Sequence, residues 1–273
     1  MDKTSRRFGS FEVLLLKDGV FEAFSEVLTH TAGAEARHAA LAAWGKPSFG
    51  IDVNCFALRG PDGLMLVDAG TGTAWGEAYG HARTALVAAG LSAGEVGRVL
   101  ITHLHGDHAL GLFDGEEPHF PQAEIWVPAT DLAFFTDQAA RATLPKARQG
   151  GFDIAERLQR LYGERVRLIG PGEILPGIEL QALPGHTHGH SGYLIHGAQE
   201  SLMLWGDALH LPELQAADPE IGLEYDLDGA MAARTRRSVL AQAAREGWVV
   251  SGGHIRGFYR VRALADGFEV VAA

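Results

Sequence analysis

The densest chemistry in this chain lies in Val99–His108, the run VLITHLHGDH. His103, His105, Asp107 and His108 put three imidazoles and a carboxylate within six residues. Imidazole and carboxylate are the ligands that borderline divalent cations such as zinc prefer. The four residues before them are apolar and rich in β-branched side chains, which predicts a buried strand. Alternate residues of an extended segment face the same way, so His103 and His105 share one side. Gly106 lets the backbone turn, and Asp107 and His108 then arrive from a second direction.

Three further stretches end in the same kind of group. PGHTHGHSG, residues 184–192, follows the strand-like Ile178–Leu183 and offers His186, His188 and His190 at alternate positions. One ligand is expected from it, because three would overfill a site. SLMLWGD, residues 201–207, is an apolar strand ending in Asp207, and WVVSGGH, residues 248–254, ends in His254. The candidate set is therefore His103, His105, Asp107, His108, His186, Asp207 and His254, each just past an apolar strand and beside glycine. Seven ligands are too many for one tetrahedral zinc and suit two ions sharing a carboxylate.

The elements that must carry these groups are legible in outline. Residues 11–16 and 20–24 flank a Lys-Asp-Gly turn signal and predict an opening β-hairpin. Residues 34–44 are Ala-rich and helical, and His38 there is read as a surface residue. Strands are expected at 51–58 and 64–68, with Asp68 supporting the site or capping its loop rather than ligating. A helix over 76–90, a capping box at Ser92 and Glu95, and the strand 98–102 lead into the cluster. Beyond it come a short helix at 109–113, a strand at 123–127, a helix from about 129 to 140, and mixed-charge helical residues 141–162. The Gly150-Gly151 pair breaks that last segment, and 129–162 reads as a helical cover over the site. His119, in a loop between prolines, is incidental. The second half returns to strands, then a helix over 229–246 with Asp228 as its N-cap.

Composition limits the function. The chain has 273 residues, 47 % hydrophobic and 21 % charged, and its net charge is 23 − 34 = −11. That acidity argues against nucleic acid or an anionic membrane as partner, since both call for clustered Lys and Arg. Cys55 is the only cysteine, so no intrachain disulfide or thiolate zinc cluster can form, and it reads as a small buried hydrophobe. No apolar run reaches membrane-spanning length and the opening residues lack a signal-peptide core, so a cytoplasmic location is expected.

With these motifs assembled, the chain resembles the metallo-β-lactamase superfamily. HLHGDH, residues 103–108, matches its His-x-His-x-Asp-His signature, and His186, Asp207 and His254 match the later motifs in order. The resemblance runs from about residue 50 to 260. It implies an α/β fold, an αββα sandwich of two mixed β-sheets flanked by helices, with residues 1–273 as one domain. It also implies that His103, His105 and His186 hold one metal, that Asp107, His108 and His254 hold a second, and that Asp207 bridges them. His190 then stands behind the ligands and His188 has no assigned role.

Within the superfamily the layout is similar to the methyl parathion hydrolase-like branch, itself similar to lactonases. The opening FEVLLLKDGV, the stretch LVDAGTG and the tail after Asp207 carry that likeness, with Asp228 and Arg236 read as structural. One departure is GHIRGF, residues 253–258, which lacks the proline the branch usually carries after its last histidine. By position, Trp75 and Phe135 correspond to aromatic pocket residues, Phe113 is expected to join them, and His210 to lie near the metals.

The implied activity is a dinuclear metal-dependent hydrolase that cleaves an ester, lactone or organophosphate bond with a metal-bridging hydroxide. Asp107 and Asp207 are its catalytic carboxylates. The cofactor is two divalent ions, zinc first, with Mn, Fe or Co as alternatives. A small-molecule substrate is expected, with no nucleic acid or membrane partner, and homodimerisation is left open. The rival reading is a single-iron sulfur dioxygenase or another oxidoreductase on the same fold.

Overall fold

Apolar side chains on both faces of a strand require a layer on each side, and the strands Gly63–Val67 and Val96–Leu100 are of this kind. The computed structural model describes residues 4–273, and they form two seven-stranded sheets packed face to face with helices outside. Residues 1–3, the first of the stretch read for a leader, lie outside the described part. Among the described residues, no helix is long and apolar enough to cross a membrane.

Each sheet takes its strands in chain order. The first runs Ser5–Phe8, Phe11–Phe24, Ser48–Gly60, Gly63–Val67, Val96–Leu100, Glu124–Pro128 and Val166–Ile169. Its first three pairings are antiparallel and its last three parallel. The second runs Gly172–Leu175, Ile178–Ala182, Ser191–Ile195, Leu202–Leu204, Val249–Ser251, Tyr259–Leu264 and Gly267–Ala272. Only Leu202–Leu204 and Val249–Ser251 pair in parallel there. Parallel neighbours need a crossover, and the helix Gly229–Glu246 supplies it. Asp228 Oδ1 accepts from the Met231 N–H at 2.8 Å and caps that helix, as its sequence predicts.

The sheets meet over a buried layer that includes Phe56, Met65, Leu100, Tyr193, Leu204 and Val249. Outside the first sheet, Val99, Ile125 and Val127 pack with Phe152 and Leu158 of the helix Gly150–Tyr162. Outside the second, Met203 and Val250 pack with Val239 and Leu240 of Gly229–Glu246. The expected αββα layering is present.

Three local expectations are corrected. Residues 11–24 form one long strand rather than a hairpin about Asp18, with only a register shift at Lys17–Gly19 against Ser48–Gly60. Asp18 is fully buried and accepts from the backbone N–H groups of Thr71 and Ala82 and from the Thr71 hydroxyl. With its carboxylate committed to two donors of Thr71 and one at the start of the helix His81–Ala88, the Asp-Gly pair bulges instead of turning. The helix expected from residue 76 starts only at His81, after a run of turns. The two helical pieces expected over 141–162 are present, but Gly150 and Gly151 open the second, Gly150–Tyr162, and the break falls just before them. Gly151 sits against Phe135, whose ring leaves no room for a Cβ.

Candidate metal centre

The ligand-type residues gather at one edge of the sandwich because of strand direction. His103 and His105 follow Val96–Leu100, Asp207 follows Leu202–Leu204, and His254 follows Val249–Ser251. Ser191–Ile195 runs antiparallel to Leu202–Leu204, so His186, which precedes it, reaches the same edge. Asp107 and His108 sit on a one-turn helix, Gly106–Ala109. Gly106 is not in a left-handed conformation; what it supplies is room, since a Cβ there would stand 3.2 Å from the Trp75 ring.

The seven groups converge. His103, His105 and His186 offer ligand atoms within 4.8 Å of one another, and so do Asp107, His108, Asp207 and His254. His105 Nδ1 lies 2.9 Å from His186 Nε2. Asp207 faces both groups. Its Oδ2 is 3.3 Å from His186 Nε2, 3.7 Å from His103 Nε2 and 2.9 Å from His254 Nε2, while its Oδ1 is 3.1 Å from His108 Nε2. Asp107 Oδ2 stands 3.6 Å from the Nε2 atoms of both His108 and His254.

Supporting groups fix which nitrogen points inward. His108 Nδ1 donates to Asp68 Oδ2 at 2.8 Å, and His186 Nδ1 to Asp226 Oδ1 at 2.9 Å. His254 Nδ1 donates to the Asp52 carbonyl at 2.5 Å. An N–H donated outward leaves the Nε2 lone pair aimed at the centre, the usual arrangement of metal-bound histidine. Asp68 thus supports rather than ligates. It also takes the N–H and hydroxyl of Thr102, at 2.8 Å each, and holds a left-handed φ of 59°. Arg236 is buried, donates to the carbonyls of Ala208, Pro219 and Ile221, and stands 3.5 Å from Asp226. His190 donates Nδ1–H to the Leu183 carbonyl and accepts the Asp207 N–H on Nε2 at 2.8 Å. Gly206, at φ 52°, runs so close to that ring that a Cβ would come within 2.5 Å of Nε2. His188 is exposed and packs on Phe134.

The donor atoms fit divalent cations. His103 Nε2, His108 Nε2 and Asp207 Oδ1 are buried without hydrogen-bond partners, and each such orphan costs about 1–3 kcal/mol unless something binds it. Charge points the same way. Burial and the neighbouring imidazoles push His103 and His105 well below the ordinary histidine range, leaving neutral ligands. Burial opposes charge on His108 and His254, yet Asp207 and Asp107 draw both upward. Those same histidines, against burial, hold both carboxylates below their ordinary range. This end of the cluster therefore demands positive charge.

A cavity of about 550 Å³ opens over the cluster. His105, Asp107, His186, Asp207, His210 and His254 form its floor, and Phe21, Ile51, Trp75, Leu110, Ile154 and Leu227 supply apolar walls. Residues between Ala147 and Arg157 close one side. Trp75, 40 % exposed, stands at the wall with Phe21 and Tyr79 against its ring. Phe113 and Phe135 do not line the cavity, which corrects the sequence expectation. Phe113 is buried between Tyr162 and the Arg157 guanidinium, and Phe135 lies beneath His105, wedged against Gly151 and Phe152. Both fill core behind the wall because the helix Gly150–Tyr162 packs down on them. His210 is buried, its Nε2 3.3 Å from Asp207 Oδ2 and its ring stacked on His254 at 4.6 Å.

The sequence matches the family model of the metallo-beta-lactamase superfamily over residues 49–254, a span that contains all seven candidate ligands. The chain belongs to that superfamily. Solved structures of this superfamily fold share the shape closely. A crystal structure described as hydrolase AbOPH in the beta lactamase superfamily aligns at TM-score 0.88 and 24 % identity, over 98 % of this chain and 96 % of that one. AidC, a dizinc quorum-quenching lactonase in complex with a product, N-hexnoyl-L-homoserine, aligns at 0.85 and 23 % over the same shares. A probable metal-dependent hydrolase from Staphylococcus aureus aligns at 0.78 and 17 %, over 98 % and 99 %. No curated protein matches the sequence.

Proposed function

We propose that this metallo-beta-lactamase superfamily member is a dinuclear metal-dependent hydrolase acting on an ester or lactone with an apolar substituent. The observation that carries the reading is the convergence of two ligand groups, with Asp207 between them, on the floor of an apolar-walled cavity. His103, His105 and His186 would hold one divalent ion and Asp107, His108 and His254 the other, with Asp207 facing both groups; zinc would suit this nitrogen- and oxygen-rich set. When bound, such ions supply Lewis acidity toward the substrate oxygen and bring the pKa of water toward neutrality.

The chain's own groups do the rest. Asp107 reaches the cavity floor with a side chain 17 % exposed, where it orients the attacking water and accepts its proton. His210, held neutral by burial with its pKa lowered to about 4, stands on the cavity floor beside Asp207 and bounds the space a substrate would enter. Phe21, Ile51, Trp75 and Leu110 exclude water and take an alkyl or acyl chain. Support for a lactone comes from the shape shared with AidC and from this apolar wall.

A panel of lactones, aryl esters and phosphotriesters, run on protein of measured metal content, tests the reading. Hydrolysis of alkyl-substituted lactones or esters that rises with chain length is the expected result. Failure on both lactones and aryl esters, or a single iron per chain with oxygen consumption, would overturn it.

A further inference from the structure

Asp131, in the first turn of the helix Ala129–Thr136, is fully buried at the back of the metal centre, away from the cavity. A carboxylate in such a place is retained only if donors surround it. Here they come from two different loops. Oδ2 accepts the Leu104 N–H at 2.8 Å, the peptide between His103 and His105. Oδ1 accepts the Gly189 N–H at 3.2 Å and the Thr187 hydroxyl, the residue after His186. The second loop is pressed onto the helix start as well. A Cβ on Gly189 would lie 2.0 Å from the Asp131 backbone nitrogen, and backbone cannot step aside as a side chain can.

No other side chain among those described bridges these two loops through both its oxygens. We propose that Asp131 is a positioning residue of the metal centre, one carboxylate setting the spacing between the His103–His105 loop and the His186 loop. It acts on the trio His103, His105 and His186, whose backbone it grips on both sides. The other group takes its alignment from Asp68 behind His108 and from the Asp52 carbonyl behind His254. The inference rests on reading both groups as metal ligands.

The test isolates each group. In a His254→Ala background the trio is the principal site, and in a His103→Ala background the other group is. Asp131→Asn is added to each, and Zn²⁺ is titrated into metal-free protein against a chromophoric chelator. Asn keeps the volume but can accept with only one oxygen, and its amide N–H₂ meets an N–H donor. Loss of a supporting group behind metal ligands typically costs 10–100-fold in affinity. The expected result is a fall of that order in the His254→Ala background and less than threefold in the His103→Ala background. Equal falls in both, or none in either, would overturn the proposal while leaving the metal reading intact. Absence of Zn²⁺ binding in both backgrounds before Asp131 is touched would overturn the metal reading and the proposal with it. Should Asp131→Asn fail to fold, Thr187→Val removes one of the three donors and is expected to weaken the same background by a smaller factor. A Thr187→Val protein with unchanged affinity in the His254→Ala background would contradict the positioning role.

Discussion

At the scale of single residues, the centre is built from side chains whose outward atoms are already spoken for. His108, His186 and His254 each give one N–H to an oxygen, which leaves one nitrogen for the interior. The chain behind His186 runs one step further, to Asp226 and then Arg236. Arg236→Met would leave three carbonyls and a buried carboxylate without their cation. Breaking one side of a buried pair costs on the order of 3–5 kcal/mol, so chemical denaturation should show a loss of that size. Asp107→Ala and His108→Ala are different in kind. Both remove polar groups and leave the apolar core in place, so circular dichroism should keep its shape while hydrolysis falls by about a hundredfold or more. Wild-type turnover in either variant would count against the reaction proposed.

At the scale of elements, the candidate ligands were legible because each ends a strand with its own local signal: an apolar run, a glycine and a metal-type residue. Strand direction then does the assembling, since the groups all sit at one edge. The capping box at Ser92 and Glu95 and the N-cap at Asp228 were legible for the same reason, being patterns closed within four residues. What sequence reading missed are residues whose partners lie far along the chain. Asp131, Asp226 and Asp18 each satisfy donors from a loop 27 to 64 positions away, and no spacing rule encodes that. Phe113 and Phe135 were misplaced for a related reason, because an aromatic beside a site looks the same in sequence whether it faces the cavity or the core. The helix Gly150–Tyr162 decides between those options, and Gly151 sets how closely it can approach. Gly151→Val should lift that helix off Phe135 and cost about 1–3 kcal/mol. The helix lines the cavity and Phe135 stands between Gly151 and His105, so KM should rise and kcat fall with it. A variant with unchanged stability and KM would show that the cover is not held by this contact.

At the scale of the molecule, a sandwich made of two sheets in chain order brings candidate ligands from positions 103 to 254 into two adjoining groups, each with its ligand atoms within 4.8 Å of one another. Folding and metal binding are therefore coupled, because the unfolded chain has no such site. Metal at a hundred times its Kd adds about 2.7 kcal/mol to stability, so stripping with a chelator should lower the melting temperature and re-addition should restore it. An unchanged melting temperature would mean that the ligand groups are not filled. The most direct measurement is metal content against activity in one preparation: ions per chain by elemental analysis, with hydrolysis followed as metal is removed and returned. Two equivalents per chain, with turnover lost on removal and recovered as the second equivalent returns, is the predicted result. Full hydrolysis in metal-free protein, or full activity with one equivalent, would contradict the account.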